Sequence, residues 1–311
     1  MANEKFARKT AILAKIEAVQ GTDSVPTGDA NAILASNVTV TPIDGDSVER
    51  DNLRPYFGGS GSTMVSFFRK VSFSVEAAGV AAAGTAPAYA ALLRACACAV
   101  TVEAGVQAVF APVSDGMESV TIYVSVDGLL HKLTNAMGTV RLAGDAKTLP
   151  KFEFEFTGAY SPVTDQAKPV VDYTPFSDPY GINKANTTLS LHGVQVAASA
   201  FSFDMGLTVV KRDLINVDSV AITARKSVGS VTFQATPIAT KDWVGLAAAS
   251  TRGPLAFRHG PGASNVIELN GPNVQLGKPT YAEQDGVQMI TVPLEYVPTS
   301  AGDDEFAIVV R

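Results

Sequence analysis

The chain has 311 residues, enough for two ordinary domains or one large β domain. Hydrophobic residues make up 46% and charged residues only 17%, below the roughly one quarter usual in soluble domains, and the formal charge is −6. An acidic balance argues against gripping nucleic acid, because that affinity comes mostly from Lys and Arg neutralising phosphates. The two cysteines, Cys96 and Cys98, cannot form a disulfide framework or a Cys-rich zinc site, and His131, His192 and His259 are scattered singly.

At the N-terminus the apolar run Ala11–Ala14 is broken by Lys15 and Glu17. A secretory signal needs an unbroken apolar stretch of about 7–15 residues, so a soluble chain made in a cytoplasm and not exported by the usual route is expected. Residues 58–62, GGSGS, lack the Gly-Lys-Ser/Thr ending of a phosphate loop and read as a flexible connection between strands. Period-two alternation predicts strands at 71–76, 120–126, 152–156, 188–192, 231–235 and 289–296, with a last strand at 306–310. Residues 77–93 read as a Gly/Ala loop running into a helix at 88–97 behind Pro87, not as a membrane span. A second short helix is predicted at 241–249, with Asp242 as its cap. Turns are expected at Asp127-Gly128, Asn270-Gly271-Pro272 and Asp285-Gly286. Residues 161–186, rich in Pro, Asp and Asn, read as an extended linker.

The two halves share landmarks in the same order. Val48-Glu49-Arg50-Asp51 precedes the strand at Val71, as Val210-Lys211-Arg212-Asp213 precedes the strand at Val231. Tyr89 and Leu92 match Trp243 and Leu246; Val140-Arg141-Leu142 matches Val274-Gln275-Leu276; Phe154, Phe156 and Tyr160 match Ile290, Val292 and Tyr296. The first copy carries an extra segment around 97–119. Duplication of one β module is the expectation.

Chemistry-bearing motifs are few. Glu153 and Glu155 alternate with Phe152, Phe154 and Phe156, so both carboxylates share one strand face. Such a pair can serve glycoside hydrolysis, line a solvated sheet face, or face a channel. Cys96 and Cys98 read as buried free thiols, the histidines as surface or turn residues, and Asp303-Asp304-Glu305 as a solvated acidic turn. No Ser-His-Asp set, dinucleotide fingerprint or metal cluster is visible, so no enzyme and no cofactor is expected.

The run Ala11–Glu17, the segments Gly21–Thr27 and Asn31–Leu34, Val48–Asp51, Phe73–Glu76, and Gly84–Pro87 leading to Leu92–Cys96 resemble the major tail tube proteins of long-tailed, siphovirus-like bacteriophages. The resemblance covers residues 10–160 best, and it implies a mainly β fold: two tandem β-sandwich or barrel-forming tube domains, each with one short flanking helix. The expected division is an N-terminal arm at 1–35, domain one at 36–162, a linker at 163–186 and domain two at 187–311.

The implied function is structural. Tube domains form six-membered rings, rings stack, and the lumen holds the tape measure protein and conducts double-stranded DNA without binding it specifically. A duplicated chain implies a homotrimer with a pseudo-six-fold ring; a homohexamer of a single domain carrying a decoration domain is the alternative. Further implied partners are the tail terminator and the baseplate or distal tail proteins, with no membrane. Tyr56, Phe57, Gly58, Gly59, Phe67 and Phe68 are candidates for contact between rings, within loops 51–68 and 213–224. The arm is a second candidate, and Glu153 and Glu155 are candidates for the lumen wall. A baseplate, decoration or adhesin module, and a hydrolase using Glu153 or Glu155, are the competing readings.

Overall fold

The computed structural model describes residues 4–311. The first half contains β1 (Thr10–Ile16), β2 (Ala32–Ile33), β3 (Ala35–Asp44), β4 (Ser47–Glu49), β5 (Ser62–Met64), β6 (Phe68–Glu76), α1 (Ala90–Arg94), β7 (Cys98–Glu103), β8 (Gln107–Pro112), β9 (Val120–Val126), β10 (Leu129–Asp145), β11 (Lys151–Tyr160) and β12 (Thr164–Asp165). The second contains β13 (Thr187–Leu191), β14 (Val194–Gln195), β15 (Ala198–Asp204), β16 (Leu207–Leu214), β17 (Val217–Arg225), β18 (Val228–Gln234), α2 (Trp243–Ala248), β19 (Arg252–His259), β20 (Ile267–Leu276), β21 (Thr280–Gln284), β22 (Val287–Tyr296) and β23 (Ala307–Val310). The fold is mainly β with one short helix in each half, as the alternation pattern implied. Asp242 caps α2 by accepting a hydrogen bond from the Gly245 amide.

All ladders are antiparallel. The first half pairs in the order β3-β6-β11-β10-β9-β1-β2. The second pairs in the order β15-β18-β22-β20-β19-β13-β14. The two orders correspond strand for strand. Val71 opposite Phe156 corresponds to Val231 opposite Val292, and Phe73 opposite Phe154 to Phe233 opposite Ile290. One sequence landmark fails: Val140 faces Phe154, but Ile290 faces Tyr281, while Val274 faces Tyr296. The pairing counterpart of Val140 is therefore Tyr281, because a bulged break separates β20 from β21. Asn270-Gly271-Pro272 lies inside β20 at a shift in its pairing with β19, where a turn was expected.

β10 joins the halves. Its first part pairs with β9; its last residues, Arg141–Asp145, pair with Asp204–Ala200 of β15. One sheet therefore runs β3-β6-β11-β10-β15-β18-β22-β21, eight strands with four from each half. The extra segment of the first half is the hairpin β7–β8, and β8 pairs with the C-terminal strand β23. Gly79 lies against this second seam, where a Cβ would stand 2.2 Å from the Val266 nitrogen, so only glycine fits.

Residues expected in an N-terminal arm are partly built into the sheet. β1 pairs along β9, and Ile12, Ala14 and Ile33 join the main core. The linker runs extended on the surface: Asp172 donates its amide to Gly28 O, and Val171 and Tyr173 cover Leu13, Tyr123 and Leu130.

Candidate assembly surfaces

The eight-strand sheet has two chemically distinct faces, because successive side chains alternate. One face carries Val71, Phe73, Val140, Leu142, Phe152, Phe154, Phe156, Phe201, Phe203, Val231, Phe233, Ile290 and Val292, all buried. Phe73 lies between Phe154 and Phe156 with ring centroids 5.7 and 6.0 Å away. The other face carries Ser, Thr and charged residues. Ser202 and Ser230 share a 2.9 Å hydrogen bond, as do Thr232 and Thr291 at 2.8 Å.

Glu153 and Glu155 are on this polar face and are exposed. Glu153 sits opposite Ser74 on one side and Arg141 on the other; Arg141 in turn sits opposite Asp204. Glu155 lies between Ser72 and Thr139. By register, Glu76, Asp145 and Glu295 share the face, against Lys70, Lys151 and Arg141, so acid predominates along it. Among the described residues no group of three or more His, Cys, Asp and Glu is placed to hold a metal ion.

The strand pairs β3/β6 and β15/β18 each extend into a projection at the same end of the sheet. In the first half it is the β4–β5 pair with the segment between them. There Tyr56, Phe57, Gly58 and Gly59 are exposed, and a Cβ at either glycine would meet nothing within 4 Å. Phe67 is exposed yet stacks edge-on against Tyr160 at 5.4 Å. Phe68 is not in the loop: it begins β6, opposite Asp44 and Ala159. Residues 213–224, expected as a loop, are instead mostly the hairpin β16–β17. Its tip carries Leu214 and Ile215, the latter 94% exposed. The two projections touch through a hydrogen bond from Ser66 to Asp213. At the opposite end of the sheet an apolar cleft opens, lined by Leu189, Val196, Phe201, Phe257, Val287 and Met289.

The remaining polar groups serve the fold. His192 lies in a turn, as expected, but both His192 and His259 are buried and neither is a surface residue. His192 Nε2 bonds Val274 O at 2.9 Å, and His259 bonds Thr187 Oγ1 at 2.8 Å and Tyr180 O at 3.0 Å. Glu305 is also buried: Arg225 clamps Glu305 and Asp303 and reaches Val113 O of the first half, so the acidic turn is a tie between halves and not a solvated loop. Cys96 and Cys98 are free and buried; burial pushes the Cys98 thiol up to about 12 and Cys96 well above its ordinary range, leaving both unreactive. Among the described residues Arg69 has no carboxylate partner. It donates to the carbonyls of Pro42, Lys132 and Ser161 at 2.9, 2.8 and 3.1 Å and lies over the Tyr160 ring. Sequence reasoning missed it because three backbone acceptors leave no side-chain signature.

The geometry is that of a sheet with one polar face, one packed face and exposed apolar projections at one end. The phage tail tube protein family matches residues 7–296, and the chain belongs to that family. No curated protein matches the chain. Membership places the protein in the phage virion tail as a structural tube component.

Proposed function

We propose that the chain is a duplicated tube subunit, that three chains form one pseudo-six-fold ring, and that stacked rings enclose the lumen of a phage tail. The observation that carries this reading is the eight-strand ladder, four strands from each half in matching order. Each half supplies one sixth of a barrel wall, and closing the wall removes the exposed edges that make open sheets prone to aggregate.

The polar face is assigned to the lumen. Its apolar opposite is already covered by the rest of each half, so it alone is free to meet water, the tape measure protein and DNA. Glu153 and Glu155 on that wall repel phosphates and keep a passing duplex mobile, where a Lys-rich wall would hold it through counterion release. The projections with Tyr56, Phe57 and Ile215 at one end, and the apolar cleft at the other, suit head-to-tail stacking, a heterologous contact that propagates along an axis. Tail terminator and distal tail proteins would meet these same two ends.

Negative-stain microscopy of the purified full-length protein tests the reading. Hollow discs or stacked tubes are expected; monodisperse globules at every concentration would contradict it.

A further inference from the structure

The strand correspondence between the halves leaves two edges over. Inside the chain, β15 has β18 on one side and β10 on the other. Among the described residues its counterpart β3 has only β6. The end of β10 has β11 on one side and β15 on the other. Among the described residues its counterpart β21 has only β22. The two edges lacking a partner are thus the two counterparts of the internal β10·β15 seam, and they lie at opposite ends of the eight-strand sheet.

Burial agrees. At the internal seam Val140 is 1% exposed; its counterpart Tyr281 is 59% exposed. Phe201 is 5% exposed; its register counterpart Val40 is only half-buried, and Ile43 further along β3 is 45% exposed. Apolar side chains stand uncovered at both edges, where the seam's equivalents are covered by the adjoining half.

We infer that β21 of one chain pairs antiparallel with β3 of a second copy, repeating the β10·β15 seam and its register between subunits. This rests on the proposed ring and adds which strands close it and how. The internal pair Ala143 opposite Ser202 translates to Gln284 opposite Thr41. Met205 N donates to Val140 O and Ala146 N to Ser199 O, which fixes even-numbered β10 residues as the hydrogen-bonded positions of the seam. Ala143–Ser202 is therefore a non-hydrogen-bonded pair, whose Cα atoms lie about 4.5 Å apart, within the range a disulfide spans.

Cross-linking of the double variant Thr41→Cys/Gln284→Cys tests this. Both residues are exposed, and the native cysteines are buried. Seven strand spacings, roughly 34 Å, separate the two edges in one chain, so a bridge between them joins different chains. Under mild oxidation of assembled rings, non-reducing electrophoresis should show covalent dimers and trimers that reducing agent removes. Single-cysteine variants mixed together should yield dimers only, and Thr39→Cys/Gln284→Cys should cross-link far less. Rings in the microscope without the Thr41–Gln284 bridge, or with the Thr39 bridge favoured, would overturn the register while leaving the tube reading intact. Absence of any ring would remove both.

Discussion

Arg141 stands opposite Asp204 across the seam that joins the halves, and opposite Glu153 on its other side. A single cation is thus placed in register between two carboxylates on the exposed polar face. Cross-strand charge pairs of this exposed kind are worth about 0.2–1 kcal/mol each. Arg141→Glu should therefore lower stability by about 1–2 kcal/mol, read as a lower urea midpoint, and added salt should recover part of it. Phe203→Ala, on the buried face of the same seam, should cost about 3–5 kcal/mol and show no salt recovery.

Glu153→Gln/Glu155→Gln should leave stability within about 0.5 kcal/mol and rings intact, because both side chains are exposed. Loss of assembly, or loss of a hydrolytic activity, would assign these carboxylates another role. Glu153→Lys/Glu155→Lys should make assembled tubes retain short duplex DNA in co-sedimentation, with retention falling steeply as salt rises.

Arg69 fastens the ends of β3, β10 and β11 through three carbonyls. Arg69→Ala leaves those acceptors without donors and opens a cavity beneath Tyr160. A loss of about 3–5 kcal/mol is expected by chemical denaturation. Arg69→Glu, which offers no donors and buries a negative charge among carbonyls, should prevent folding.

Burial holds the pKa of both His192 and His259 below the ordinary 6.5. The unfolded chain then binds more protons than the folded one once pH drops below about 6.5, so their contribution is complete above that value and is lost as pH falls through the depressed folded values. Asp303, whose pKa is lowered chiefly by the Ser114 hydrogen bond, loses its contribution only below its ordinary 3.8. Urea midpoints should decline between pH 6.5 and 5, and His192→Gln/His259→Gln should flatten that decline. An unchanged slope would contradict the assignment.

Tyr56→Ser, Phe57→Ser and Ile215→Ser should leave the monomer's melting temperature unchanged, since these side chains touch solvent. Combined, they should shorten tubes or stop assembly at single discs. Normal tube length would remove the projections from the stacking contact.

Much of the fold was legible because the sheet is two-faced. The alternation of Phe152, Glu153, Phe154, Glu155 and Phe156 follows directly from one packed and one wet face. β1 escaped notice because Ile12, Leu13 and Ala14 are all buried in succession, packed on both sides, and show no alternation. The β16–β17 hairpin escaped because its apolar residues are interrupted by Lys211, Arg212, Asp213 and Asp218. The expected match of Val274-Gln275-Leu276 to Val140-Arg141-Leu142 failed because the likeness is local, whereas the bulged break before β21 moves the pairing counterpart onward in the second half. The β10·β15 seam is long-range pairing, and no local pattern encodes which distant edge a strand meets.

The most direct test is a cryo-electron reconstruction of a single disc viewed along its axis, with chains counted by tracing density. Three chains around a pseudo-six-fold wall, each spanning eight consecutive strands from β3 to β21, is the predicted result. Six chains per disc, each placing only one half in the wall, would contradict it.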